Sequence, residues 1–396
     1  MINFQDINIK LHSLVIFRNL LKDKVIKRLM ELISCNDEDT MEQVSRYSAF
    51  ASALLEESDN LTDYILNRVL EDENVYILKC AEGLKVSEEI EESLRYELKV
   101  LEEVSQLTAM QLRISINYAG FLASWNTSSV DFTSIYKDRI KHISTYGYGI
   151  FAKYHIFMIK DLDIIPVKYP DNIRISQLQG YESERKIVVD NTLALLKGKP
   201  AANVLLRGDA GTGKSSTVKA IANEFKDMGL RLIEVTKRQL RDMPAIMDRL
   251  SRNPLKFILF IDDLSFAKDD DDFAALKAIL EGSVSTKANN VVIYATSNRR
   301  HLVKESFSDR KGDDIHINDT IQELLSLSDR FGLSVTFTKP DKKQYLEIVY
   351  GLADQYEVKL SAEELELEAE RFALRHNGRS PRVARQFVEY LKSKEA

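Results

Sequence analysis

The segment Gly208-Asp209-Ala210-Gly211-Thr212-Gly213-Lys214-Ser215-Ser216 carries the densest chemistry in this 396-residue chain. Its first eight residues fit G-x-x-x-x-G-K-[ST], in which glycines let the backbone curl until successive N–H groups face inward onto phosphate oxygens. Lys214 is then placed to reach the β- and γ-phosphates, and the Ser215 hydroxyl to ligate Mg²⁺. A helix opening at Ser215 would add the positive end of its dipole, and Gly229 suits its C-terminal cap. These residues predict binding of a nucleoside triphosphate, with Gly208 through Ser216 as the cradle.

Two further strand ends offer matching groups. Phe257-Ile258-Leu259-Phe260-Ile261 is a continuous apolar run closed by Asp262 and Asp263. Carboxylates at the C-terminal end of a parallel strand sit where such sheets place ligands. Asp262 is the candidate for holding the Mg²⁺ water shell, and Asp263 for polarising the attacking water. Val291–Ala295 ends in Thr296-Ser297-Asn298-Arg299-Arg300-His301, where Asn298 can orient that water or the γ-phosphate. Taken singly, such carboxylates cap helices and such an asparagine makes a turn; the phosphate loop upstream gives them a joint meaning.

Positioning these groups requires a layered scaffold. Val204–Leu206, Leu232–Val235, Phe257–Ile261, Val291–Ala295 and Val335–Phe337 are short apolar runs separated by helix-period segments, the signature of a parallel sheet covered on both faces. From Pro340 onward three amphipathic segments follow. The first 145 residues are different. All seven prolines lie from Pro166 onward, and only Gly83 and Gly120 of the fifteen glycines precede Gly147. Apolar residues recur at helical spacing from Leu11 to Ile33 and again through Ile90, Leu94, Leu98, Leu101 and Val104, which predicts a helical bundle. Tyr146–Ile165 is rich in aromatic and β-branched residues and reads as a short strand pair leading into a linker. The expected division is a helical domain at 1–145, strand pair and linker at 146–175, nucleotide-binding domain at 176–338 and helical lid at 339–396.

Composition narrows the class further. Lysine and arginine number 55 against 61 acidic residues, a net charge of −6, so net charge gives no support to a general polyanion-coating role. Cys35 and Cys80 cannot build a disulfide framework, and no Cys/His metal spacing surrounds them. Polar residues between Met1 and Lys10 interrupt any signal-peptide core, and no apolar run approaches the roughly 20 residues of a membrane helix. The expectation is a cytoplasmic protein with no membrane partner.

Together these elements resemble the AAA+ ATPase superfamily. The likeness spans roughly residues 176–396 and implies an α/β P-loop core, a parallel sheet flanked by helices, with a C-terminal helical lid behind a mainly α-helical N-terminal domain. It implies ATP and Mg²⁺ as ligands and hydrolysis as the activity. Ser328-Asp329-Arg330-Phe331-Gly332 is similar to the segment carrying an arginine finger, which makes Arg330 the residue acting in trans across a homo-oligomeric ring. Gly378-Arg379-Ser380-Pro381-Arg382-Val383-Ala384-Arg385 is similar to the lid-helix start, with Arg382 as the second sensor. Gln179-Gly180-Tyr181-Glu182 resembles the strap over adenine, assigning Gly180 and Tyr181 to nucleotide binding. The runs around Gly180, Asp262 and Asn298 are similar to a family of uncharacterised bacterial ATP-binding AAA+ proteins, and they mark Arg299, Arg300 and His301 as a family feature without a derived role.

Two departures shape the expected activity. Asp263 stands where the superfamily usually has a one-methylene-longer glutamate, which would slow hydrolysis while leaving binding intact. Thr236-Lys237-Arg238-Gln239-Leu240 occupies the place of an aromatic-glycine pore loop, which weakens a threading role. Besides a remodelling ATPase acting on an unknown protein or nucleic-acid target, two readings stay open: an ATP-gated switch with negligible turnover, and a DNA-associated loader contacting a phosphate backbone through Lys237, Arg238 and Arg241.

Overall fold

The computed structural model describes residues 3–35, 39–114, 116–264, 271–281, 289–298, 330–376 and 378–394. The chain forms two compact units, Met1–Lys153 and Tyr154–Ala396.

The first unit is helical. The stripe from Leu11 to Ile33 is not one helix: Phe4–His12 ends at Ser13, a 3-10 turn follows at Arg18–Lys22, and Asp23 starts a new helix, Lys24–Ile33, by accepting the N–H groups of Val25 and Ile26. The second stripe is one helix, Glu88–Ser105, which buries Leu94, Leu98, Leu101 and Val104. The same helix buries Glu97, 2% exposed, whose carboxylate accepts the backbone N–H groups of Val15, Ile16 and Phe17 at 2.7, 3.0 and 2.9 Å. Three donors offset the cost of burying a carboxylate and hold the loop that breaks the first stripe. Around it Phe17 meets Tyr136 edge-on at 5.6 Å, and Phe50 meets Trp125 at 5.0 Å. No helix among the described residues is long and apolar enough to cross a membrane.

The second unit contains a seven-stranded sheet with strands β1 (Ile156–Lys160), β2 (Asp163–Pro166), β3 (Val204–Gly208), β4 (Leu230–Glu234), β5 (Lys256–Ile261), β6 (Val291–Ser297) and β7 (Leu333–Phe337), ordered β2-β1-β4-β5-β6-β3-β7. Every neighbouring pair is parallel except β1 with β2. Alternation along the strands sends Val204, Leu206, Leu232, Ile258, Phe260 and Tyr294 into one core with Val188, Val218 and Ile221 of the helices Glu182–Leu196 and Lys214–Phe225. The intervening residues Leu205, Ile233, Phe257, Leu259 and Ile293 are equally buried. On their side, helix Met243–Ser251 packs against β6. Burial on both faces is why these strands read as unbroken apolar runs.

Within the region expected as strand pair and linker, β1 and β2 do form an antiparallel pair, and that pair extends the sheet. Residues 150–153 are helical, and β1 pairs in parallel with β4, Phe157 opposite Ile233. A two-residue turn with Asp161 and Leu162 at φ 51° and 69° joins β1 to β2. Pro166 is tolerated because β2 is an edge strand with no further neighbour to receive an N–H.

After β7 the chain passes through Thr338–Pro340 into three helices, Lys342–Gln355, Ala362–Arg375 and Pro381–Lys394. Asp341 with Gln344 and Ser361 with Glu364 form capping boxes that start the first two. Their apolar faces close on Tyr345, Val349, Leu352, Ala369, Ala384 and Phe387.

Candidate nucleotide site

β3 lies between β6 and β7, while the next strand in sequence, β4, lies three places away. The turn leaving β3 therefore opens at the topological switch of the sheet, where a crevice forms beyond the carboxyl ends of the strands. Gly208 makes that turn at φ 133°, and a Cβ there would stand 2.0 Å from the Phe337 carbonyl oxygen. Gly213, at φ 90°, caps helix Lys214–Phe225 without any side-chain acceptor for its first turn. The first backbone bond is Thr217 N–H to Gly213 O at 2.8 Å, so the N–H groups of Lys214, Ser215 and Ser216 face outward at the positive end of the helix. Such a cradle fits an oxyanion.

Lys214 is 4% exposed, and its ammonium donates to the carbonyls of Gly208 and Asp209 at 2.9 and 2.7 Å. Burial pushes its pKa below the usual lysine value; Asp209, Asp262 and Asp263 oppose that, and Arg382 adds to it. Thr212 closes the loop by donating to Asp209 O at 2.8 Å.

The carboxylates at the end of β5 are held by β6. Asp262 Oδ1 accepts the hydroxyls of Ser215 at 2.6 Å and Thr296 at 2.5 Å. Thr296 Oγ1 in turn accepts the N–H of Asp263 at 2.9 Å, and its carbonyl accepts Leu264 N–H at 2.7 Å. Asp263 is thereby fixed at φ 53°, left-handed backbone that a residue with a Cβ adopts only at a cost. Its Oδ1 accepts Asn298 Nδ2 at 2.9 Å. Lys214, Ser215, Asp262, Asp263 and Asn298 thus line one cleft of about 360 Å³. Ser215 and Asp262 supply oxygen donors that suit a hard divalent cation.

Other walls of the cleft come from the lid and from the segment before helix Glu182–Leu196. Arg382 and Arg385 enter from the lid, with Arg382 N–H bonded to Gly211 O at 3.1 Å. Ile173, Leu178, Ile348 and Leu352 form the apolar end. Gly180 and Tyr181, expected to meet the base, are not among the residues that line the cleft. Gly180 at φ 71° and Tyr181 at φ 61° turn the tyrosine ring onto Phe337, 5.4 Å between centroids, and its hydroxyl donates to Thr338 O at 2.6 Å. Gln177, Leu178 and Gln179 line the cleft instead.

Arg330 lies elsewhere. It precedes β7 and lines a separate hollow with Gly198, Pro200, Asn203 and Val291, at the end of the sheet where β3 and β6 begin. Arg299, Arg300, His301, Ser328 and Asp329 fall outside the described residues. The basic stretch after β4 is a 3-10 turn, Lys237–Asp242, whose Gln239 donates to Ile159 O at 2.8 Å and whose Arg241 stands 3.5 Å from Asp272.

Two site residues had no signal specific enough to assign from sequence. Thr296 is the hydroxyl that bonds the Asp262 carboxylate and the Asp263 backbone; its place opposite Asp262 follows from the β5–β6 register, Ile261 beside Ala295. Arg185, 7% exposed, donates to Leu178 O at 2.8 Å and shapes the apolar end, and burial depresses its pKa.

The model of a family described as a protein of unknown function (DUF815) matches residues 152–395. An AAA-ATPase of Arabidopsis thaliana is 23% identical over 291 residues, which cover 64% of this chain and 59% of that protein. Among solved structures, the Holliday junction branch migration motor RuvB of Thermotoga maritima aligns with a TM-score of 0.37 at 19% identity, over 55% of this chain and 63% of that one. One of its point variants gives 0.38 at 18% identity, over 55% and 64%. The chain thus spans less than two thirds of both the plant relative and RuvB.

Proposed function

The chain belongs to the DUF815 family, and we propose that it is an ATPase of the AAA+ superfamily whose cleft binds ATP with Mg²⁺ and hydrolyses it, in a homo-oligomer that remodels a target. The observation that carries this reading is the convergence of Lys214, Ser215, Asp262, Asp263 and Asn298 on one cleft at the uncapped start of helix Lys214–Phe225.

Each residue has a role that follows from its surroundings. The N–H groups from Gly211 to Ser216 bind phosphate oxygens through the backbone and the helix dipole. Lys214 exchanges its two carbonyl acceptors for phosphate, where its charge opposes the negative charge that grows during transfer. Ser215 and Asp262 would hold Mg²⁺, which when bound screens the phosphate oxygens. Asp263 orients the attacking water and accepts its proton, while Asn298 fixes that carboxylate and can bond the water itself. Arg382 carries the lid's charge to the phosphates. Gly208, Asp209, Ala210 and Thr212 shape the loop.

The shorter acid at position 263 motivates the competing reading, a nucleotide-gated switch. Its backbone is held by Thr296 and its carboxylate by Asn298, so the side chain is already aimed, which supports turnover. Steady-state phosphate release separates the two. An ATPase of ordinary competence turns over at about 1 s⁻¹ or faster. Tight ATP binding with turnover below about one per hour, some three orders of magnitude slower, would establish the switch instead.

A further inference from the structure

The hinge between core and lid is tied to the phosphate loop by a side chain that phosphate binding itself does not require. β7 ends at Phe337 and the first lid helix starts at Lys342, so residues 338–341 connect core and lid. Lys339 donates its backbone N–H to Asp209 Oδ2 at 2.8 Å, and Asp209 donates its own N–H to Phe337 O at 3.1 Å. Pro340 restricts Lys339 to extended backbone, so a bond to its N–H anchors the whole segment. At the start of the third lid helix, Arg382 N–H is bonded to Gly211 O at 3.1 Å. Asp209, Gly211, Lys339, Ser380 and Arg382 share one concavity of about 600 Å³, so loop and lid meet along a common wall.

The G-x-x-x-x-G-K pattern asks only for backbone at position 209. A carboxylate there sets a negative charge beside a site built for phosphate, which disfavours the ligand unless the group does something else. Its bond to the hinge is that something else. We propose that Asp209 is a positioning residue that couples the phosphate loop to the lid, so that occupancy of the loop is transmitted through Lys339 and Gly211 to the placement of Arg382.

This inference rests on the nucleotide-binding reading, and its test separates the two. Hydrogen–deuterium exchange is measured over residues 337–341 and 380–386 of the full chain, alone and with Mg²⁺ and a non-hydrolysable ATP analogue, for the parent, Asp209→Ala and Asp209→Asn. In the nucleotide-free Asp209→Ala chain the Lys339 amide is expected to exchange about tenfold faster, the loss of one hydrogen bond to a charged acceptor. That variant still takes up the analogue, but the analogue no longer slows exchange over 380–386, and kcat falls while KM changes little. Asp209→Asn keeps an oxygen acceptor and removes the charge, and restores the lid response. Parent-like exchange at Lys339 in Asp209→Ala, or an asparagine variant that fails as the alanine variant does, overturns the coupling. If the parent binds no analogue, the nucleotide reading falls, and exchange at Lys339 without nucleotide still decides whether the tie exists.

Discussion

Replacing Arg330 by alanine is expected to lower steady-state ATP hydrolysis by about 10³-fold or more, the range of an arginine finger, without weakening nucleotide binding to the single chain. Arg330 stands just before β7, whose first residue, Leu333, pairs with Val204 at the start of β3. The phosphate loop leaves the other end of β3, after five residues. A strand of that length spans roughly 16 Å, so Arg330 and Lys214 lie beyond opposite ends of the strands. Arg382, by contrast, lines the same cleft as Lys214. An arginine that serves the reaction from Arg330's position must serve a neighbour's site. Mixing provides the check: Arg330→Ala chains have a complete loop, Asp263→Asn chains a complete finger, and together they should recover activity that neither has alone. Equal loss in dilute monomer and in oligomer, with no recovery on mixing, would remove the trans role.

Asp263→Asn is expected to reduce turnover by about 10²–10⁴-fold, the usual contribution of a positioned acid or base, and to leave ATP affinity close to the parent's. The substitution tests chemistry and not folding. Asn is among the residues that best tolerate left-handed backbone, so the φ of 53° at this position is retained. The backbone N–H to Thr296 is unaffected, and Asn298 still has an amide oxygen to meet. What disappears is the carboxylate proposed to accept a proton from water. The checks are single-turnover hydrolysis and an unfolding curve: slow hydrolysis with an unchanged midpoint supports the role. Parent-like turnover would assign the water to another group. A lowered midpoint with weakened binding would make Asp263 a structural residue.

The parts of this site that phosphate chemistry dictates were legible in sequence. Gly208, Gly213, Lys214 and Ser215 have few substitutes, and the strands that carry them are buried on both faces and read as apolar runs. Non-local pairing was less legible. β1 and β2 were legible as a strand pair, but nothing within Ile156–Pro166 says that Phe157 will lie beside Ile233 and so join the pair to the main sheet. The break in the first helical stripe depends on Asp23 capping a new helix and on Glu97, some 80 residues away, collecting three backbone donors. Tyr181 was assigned to the base because the segment before the loop usually covers it. Two successive left-handed residues turn the ring onto Phe337 instead, a rotation that Gly-Tyr in sequence does not announce. Thr296 went unassigned since a threonine ending a strand is ordinary until the neighbouring strand brings Asp262 beside it.

A titration of a labelled ATP analogue with Mg²⁺ into the parent and into Lys214→Ala tests the central claim most directly. Lys214 is the buried ammonium of the cleft, and loss of a charged hydrogen bond of about 1.5–3 kcal/mol should weaken binding at least tenfold. The parent is expected to saturate, with the variant binding at least tenfold more weakly or not at all. Equal affinity in the two proteins would contradict the site.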